Sequence, residues 1–351
     1  MMGREGCCQG SVVTTDKLIE KVELEYGLRI ATREVVKEMP GSSFVAKLVA
    51  EGGDAYALKS LFIPQERQRF IAESERRLAD RGVELARPVS TKSGRLFIEH
   101  EGAPYVLYEW LPGEGAALSG PDDLLAIVEL AARFHLASRD LAYPAGVEVF
   151  GHLDWREEYE NRLKSMERWL SEYGGEKKGK KRKIANAVPF FLKAGKKALR
   201  ELRNSEYADY VEGRIGPRTL VHGDLHNKNV ILSGSARRLI DFEDVRFDAP
   251  SKDLIRIHSM YAKRRDFEPT TFRRMLRRYF QIHPVSSAVR RIIEVDLLFP
   301  HIFERTLRKK KYKKMSEEEI AVWLRQERRK SSFVRRLFFG NGRSSEKGGK
   351  A

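Results

Sequence analysis

Asp224, Asn229 and Asp241 are the side chains whose types and spacing could do chemistry in this chain. They fall within Thr219–Leu254, TLVHGDLHNKNVILSGSARRLIDFEDVRFDAPSKDL. The segment reads as an apolar strand (Thr219–Val221), a polar loop, a short strand (Val230–Leu232), a turn at Ser233-Gly234-Ser235 and a third strand (Arg238–Ile240). Asp224 then sits in the loop, Asn229 just before the second strand, and Asp241 at the end of the third. Mg²⁺ takes an octahedron of oxygens, and proteins usually supply only one or two carboxylates beside phosphate oxygens. A hairpin bringing Asn229 beside Asp241 supplies such a pair. Asp224 remains as a base for a hydroxyl.

H-G-D-L-H-x-x-N followed by I-D-F-E resembles the aminoglycoside phosphotransferase and choline kinase superfamily, relatives of protein kinases that phosphorylate small molecules. The resemblance implies ATP and Mg²⁺ as cofactors. It gives Asp224 the role of taking the acceptor proton, and Asn229 and Asp241 that of holding the metal. It also implies that His222 braces the loop and that His226 lies near phosphate or acceptor. Asp253, in D-x-P-x-x-D-L, would accept backbone N–H bonds from the catalytic loop. The third strand continues into Asp241-Phe242-Glu243, without the Gly of D-F-G.

The elements that must position these residues follow from periodicity. Asp16–Tyr26 carries Leu18, Ile19, Val22 and Tyr26 at helical spacing. Arg33–Met39, Phe44–Ala50 and Ala55–Leu61 read as three antiparallel strands. The Pro40-Gly41-Ser42-Ser43 turn between the first two is expected over the phosphates, with Ser42 and Ser43 approaching them. Tyr56-Ala57-Leu58-Lys59 resembles the V-A-I-K strand of kinases, so Lys59 is expected on the α- and β-phosphates. Its helix partner is assigned to Glu75 on the helix Pro64–Arg81, with Glu73 as the alternative. Leu96–His100 and Tyr105–Trp110 form a hairpin leading into Glu109-Trp110-Leu111-Pro112-Gly113, similar to the superfamily's hinge. Leu107 is expected at the back of the nucleotide pocket, with Tyr108 C=O and Trp110 N–H at the purine edge.

The fold expected is α+β: a two-lobed, protein-kinase-like chain with a small antiparallel sheet lobe and a mostly helical second lobe. Its boundaries are a flexible tail (1–14), a nucleotide-binding lobe (15–110), a helical lobe with catalytic loop and metal site (111–338) and a disordered basic tail (339–351). Helices are expected from Pro121, through Trp155–Tyr173, over Ile184–Leu202, and around Thr270–Phe280, Val289–Leu298 and Ser316–Gln326. Ser316 and Glu319 have the spacing of a capping box. His135 reads as a hydrogen-bonded core residue, and the Trp155, Tyr159, Leu163 stripe as packing.

Composition narrows the class without choosing a substrate. The 351 residues, 41% hydrophobic, suffice for two cores, and no run approaches a membrane span. The two cysteines, Cys7 and Cys8, are adjacent and make no disulfide framework, so a cytoplasmic protein is expected. A net charge of +16 favours polyanions, a nucleoside triphosphate among them. Two cationic runs, Gly174–Lys183 and Arg308–Lys314, read as a solvated connector and a solvated helix face. Contact with an anionic substrate, nucleic acid or a membrane surface is the competing reading, and no RNA-binding motif accompanies them. FIAESERRLADRG, YVLYEWLPG, FHLAS and LLFPHIF resemble, in that order, the branch of the superfamily typified by spore coat protein S of endospore-forming bacteria. That resemblance implies a phosphotransferase acting on a hydroxyl of an unidentified small molecule or coat-associated acceptor, with spore coat proteins as partners and the coat as a second location. The alternative it leaves open is an inactive kinase-fold scaffold in coat assembly.

Overall fold

The structure, a computed structural model, describes residues 16–151 and 154–340. The expected tail 1–14, the Cys7-Cys8 pair and the tail beyond Gly340 lie outside the described residues. The chain forms two compact units, and both are discontinuous in sequence. The first takes residues through Ala117, then Leu141–Phe150 and His222–Arg246; the second takes Leu118–Asp140, Gly151–Val221 and the chain from Phe247 onward.

In the first unit, α1 (Asp16–Tyr26) precedes β1 (Ile30–Met39), β2 (Ser43–Ala50) and β3 (Ala55–Ser60). Then come α2 (Gln65–Asp80), β4 (Ile98–His100), β5 (Ala103–Glu109) and the short β6 (Glu114–Gly115). Five strands form an antiparallel sheet in the order β1-β2-β3-β5-β4. Successive side chains on a strand point to opposite faces. Ala46, Leu58 and Leu107 stand opposite one another and share one face, packed with Leu18, Ile19 and Val22 of α1. Val45, Lys59 and Val106 share the other. The hairpin between β4 and β5 is tighter than expected. Glu101 and Gly102 both take positive φ (50° and 77°), the left-handed pair that a two-residue turn requires, and Ala103-Pro104 belong to β5.

The segment from His222 joins this unit by strand contacts. After β7 (Leu220–Val221) come β8 (Val230–Ser233) and β9 (Ala236–Leu239), paired so that Ser233 faces Ala236. The turn is therefore Gly234-Ser235 with Gly234 at φ 58°, and the third strand starts two residues earlier than expected. β6 pairs with β8, and β9 exchanges hydrogen bonds with Glu84 and Ala86 beyond α2. Gly113 is fixed by this arrangement: a Cβ there would lie 2.1 Å from the Leu232 carbonyl oxygen.

The second unit is helical. It comprises α3 (Pro121–Ala137), α4 (Trp155–Tyr173), α5 (Gly179–Ala185), α6 (Val188–Arg203), α7 (Tyr207–Val211), α8 (Ser251–Tyr261), α9 (Pro269–Ile282), α10 (Ser287–Leu298), α11 (His301–Arg308) and α12 (Glu317–Phe339). The expected capping box forms at Ser316 and Glu319. The expected connector Gly174–Lys183 is partly helix: α5 begins at Gly179, and Pro189 in the first turn of α6 starts a new helix after the break at Asn186-Ala187. Two of its cations are engaged, Lys181 with Glu176 and the Tyr173 ring and Lys183 with Glu317. The basic-aromatic stretch past Gln326 is the continuation of α12, with Phe333 and Val334 in the core. His135 is fully buried, as expected, with Nδ1 on the Tyr279 hydroxyl (2.9 Å) and Nε2 on Asp253 Oδ2 (3.0 Å). Trp155, Tyr159 and Leu163 are also core residues.

Candidate active site

All the residues singled out for chemistry belong to the first unit. The β8–β9 hairpin sets their spacing. Val230 pairs with Leu239, and one step on Ile240 N–H donates to Asn229 C=O (3.1 Å). That bond holds Asn229 one residue from Asp241. Asn229 Nδ2 donates to Asp224 C=O (3.1 Å), so its amide oxygen is the end turned to other partners. A single 3₁₀ turn, Asn227–Asn229, closes the loop, and Asn227 Nδ2 anchors it to Ala116 C=O (2.9 Å).

Gly223 makes the loop sterically feasible. It takes φ +84°, and a Cβ there would lie 2.5 Å from the Asp244 carbonyl oxygen. His222 is fully buried, with Nε2 on Ile240 C=O (2.9 Å) and its ring 4.9 Å from that of Phe242. It ties the start of the loop to the strand end that carries Asp241. His226 accepts the Lys228 N–H at Nδ1 (3.1 Å), leaving Nε2 3.4 Å from Asp224 Oδ2.

Asp241 leaves the ladder in a left-handed conformation, φ 70° and ψ 60°, which is uncommon for a residue with a Cβ. Its carboxylate bonds Lys59 Nζ, 182 positions away in sequence. Burial pushes the Asp241 pKa up, but the charge and hydrogen bond of Lys59 outweigh it, helped by the charges of His222 and Lys37, and the net direction is down. Lys37 contributes because β1 has a bulge between Val35 and Lys37, which sets Lys37 opposite Val45 on the Lys59 face.

Glu75 is not the ion-pair partner of Lys59 here. It is 3% exposed, and its Oε2 accepts the Tyr108 hydroxyl proton (2.8 Å). Burial raises its pKa to about 8, against the lowering effects of that hydrogen bond and of the Lys59 charge. The alternative, Glu73, is paired with Arg76 and Arg77 on its own helix.

Register corrects three further expectations. Leu107 lies on the α1 face of the sheet, one residue out of phase with Lys59, so Val106 and Tyr108 are the β5 side chains on the Lys59 face. Trp110 N–H donates to Ala55 C=O (3.0 Å) and Tyr108 stands opposite Ala57, so both backbone groups assigned to the purine edge face β3. Glu109 N–H turns the other way, to Arg87 C=O. Ser42 is exposed and its N–H closes the turn on Met39 C=O (3.0 Å). Ser43 is 4% exposed, lies on the Lys59 face, and its hydroxyl has no hydrogen-bond partner.

Arg67 gave no signal in the sequence, being one cation in a charged helix. Its guanidinium donates to Glu243 C=O (2.7 Å) and Val245 C=O (2.6 Å), clamping the turn after Asp241 onto α2, and it lies over the Phe150 ring. The sequence points to Tyr108 through its backbone, whereas its hydroxyl makes the contact with Glu75.

An ammonium from a β-strand is set against a carboxylate at a hairpin end, with an amide anchored beside it. The antiparallel sheet unit and the helical unit have the architecture of a kinase-like fold. The chain belongs to the Phosphotransferase enzyme family, which matches residues 37–290. It is 24% identical over 270 residues to spore coat protein S of Bacillus subtilis (strain 168), covering 70% of this chain and 71% of that protein. In structure it is similar to an aminoglycoside phosphotransferase from Alicyclobacillus acidocaldarius, with a TM-score of 0.71, 18% identity and 90% and 92% of the two chains covered. An amicoumacin kinase, in complex with AMP-PNP, Ca²⁺ and Ami, is similar at a TM-score of 0.57 and 16% identity, again over 90% and 92% of the chains. Among the described residues no helix is long and apolar enough to cross a membrane.

Proposed function

We propose that the chain transfers the terminal phosphoryl group of ATP to a hydroxyl of a small acceptor. The observation that carries this reading is the Lys59–Asp241 pair, which brings a strand cation and the hairpin carboxylate together beside Asn229 and Asp224. Asp241 and the Asn229 amide oxygen suit Mg²⁺, a hard cation that prefers oxygen donors. The ion would neutralise phosphate charge there. The unpartnered Ser43 hydroxyl and Lys59 suit phosphate oxygens, and an AMP-PNP complex is on record for the amicoumacin kinase. Glu109 C=O and Leu111 N–H would then serve the purine edge in place of Tyr108 and Trp110, whose backbone groups are taken up by β3, as alternation along the strand suggests.

Asp224 orients the acceptor hydroxyl, and His226 steadies the carboxylate. As the acceptor oxygen bonds the γ-phosphorus, its proton passes to Asp224. The bond from that phosphorus to the bridging oxygen breaks, and ADP leaves with the electron pair. Catalysis rests on positioning and charge neutralisation.

The acceptor is a small hydroxyl compound or a coat-associated one, and the enzyme works in the cytoplasm or at the spore coat. Likeness to spore coat protein S supports the coat link and favours one second reading, a kinase-fold scaffold in coat assembly. An acceptor screen with radiolabelled ATP over sugars, amino alcohols, nucleosides and coat proteins separates the two. Asp224→Asn should keep Mg-ATP binding while transfer falls by ~100-fold or more. No turnover by the wild type on any acceptor, together with full complementation of a deletion by Asp224→Asn, would establish the scaffold instead.

A further inference from the structure

Lys309, Lys310, Lys311 and Lys314 are exposed side chains that share one concavity. In the helical unit a cavity of about 890 Å³ opens between α8, α11, the turn that follows it and the first half of α12. That volume lies within the ~300–1,000 Å³ usual for small-ligand sites. Arg256, Lys263, Arg305, Lys309 and Lys311 line it together. Burial lowers the Lys311 pKa, and the positive charges of Arg305, Arg256, Lys263 and Lys309 lower it further, with no carboxylate among the causes. The acids on the same wall are engaged elsewhere. Glu318 and Glu319 accept the hydroxyl and the N–H of Ser316, and Glu327 takes Lys330. Lys310, between two of the converging lysines, holds a positive φ of 51°, a conformation that a residue with a Cβ rarely adopts. Trp323 gives the cavity a rigid apolar wall, stacked on Phe303 at 5.4 Å.

We infer that this cavity binds a small molecule bearing clustered phosphate groups. Like charges crowded around a concavity repel one another in the free protein, and a polyanion relieves that repulsion on binding. Lysine ammoniums suit phosphate oxygens as mobile point charges and impose none of the planar geometry that an arginine fork would. The single aromatic wall favours a compact ligand over a polymer, which would need repeated stacking platforms along its length.

Calorimetry of the full chain with inositol hexakisphosphate, without metal, tests the assignment. Affinity should fall at least tenfold in Lys309→Ala/Lys311→Ala and stay unchanged in Lys59→Ala, which reports on the nucleotide site. The thermal midpoint of the double variant should match the wild type, since both side chains are exposed. Vesicles containing phosphatidylinositol bisphosphate identify the source. Retention on them, reversed by inositol hexakisphosphate, assigns the phosphates to a lipid headgroup, and lack of retention assigns them to a free metabolite. Equal affinity in the wild type and the double variant would overturn the inference. So would an equal loss in Lys59→Ala, or tighter binding of a short single-stranded oligonucleotide through the same lysines.

Discussion

Glu75 converts the electrostatics of the site into a bulk measurement. Burial raises its pKa from 4.5 to about 8, so the folded chain keeps a proton there that the unfolded chain releases. Stability from this group is complete below pH 4.5 and is lost as pH rises through about 8. The difference of about 3.5 pH units, at ~1.4 kcal/mol each, sets a ceiling of ~5 kcal/mol. Glu75→Gln keeps the shape and an acceptor oxygen for the Tyr108 hydroxyl, and it cannot ionise. Urea unfolding of both proteins at about pH 5.5 and about pH 7.5 isolates the group, because other titrations cancel in the difference. Across that window the wild type should lose ~2–3 kcal/mol relative to the variant. Parallel pH profiles would refute the reasoning, since they would mean the carboxyl titrates alike in the folded and unfolded chains.

The remaining predictions concern each unit in turn. Asp241→Ala should weaken Mg²⁺-dependent ATP binding by an order of magnitude or more and leave the metal-free affinity little changed, as calorimetry with and without Mg²⁺ would show. Gly223→Ala should destabilise the first unit by at least ~1–2 kcal/mol, from left-handed strain alone, because its Cβ also meets the Asp244 carbonyl at 2.5 Å. Its loss of transfer should exceed its loss of thermal stability. His135→Leu removes a buried partner of Asp253 and should cost ~3–5 kcal/mol in chemical denaturation.

The chemistry-bearing loop was legible because its residues are close in sequence and bounded by turn signals, so the order Asp224, Asn229, Asp241 already implied a hairpin. The α1 helix was legible to the residue, since its apolar positions repeat at a clean helical period. What failed was phase. A run such as Tyr105–Trp110 is apolar at nearly every position, so its alternation does not say which side chains face Lys59, and Leu107 was placed on the wrong side. The Pro40-Gly41 turn was foreseen, but not that it would consume the Ser42 N–H. Arg67 was invisible because its partners are backbone carbonyls 176 and 178 positions away, which leave no pattern in a helix. The short helices α7 and α11 were missed because five and eight residues are too few to display a period.

The first unit is interrupted twice by segments of the second, and this has a consequence for how the chain acquires its site during synthesis. Lys59 leaves the ribosome 182 residues before Asp241. At ~5–20 residues per second the sheet waits ~10–40 s for the hairpin that completes it. Throughout that interval β3 and α2 lack β9 and the Asp241 turn, so Glu84, Ala86 and Arg67 have no mates for their hydrogen bonds. Much of the second unit must emerge in between. The contacts that join Lys59 to Asp241 are therefore among the last to form within the first unit, and they become available while α8 to α12 of the second unit are still to be made.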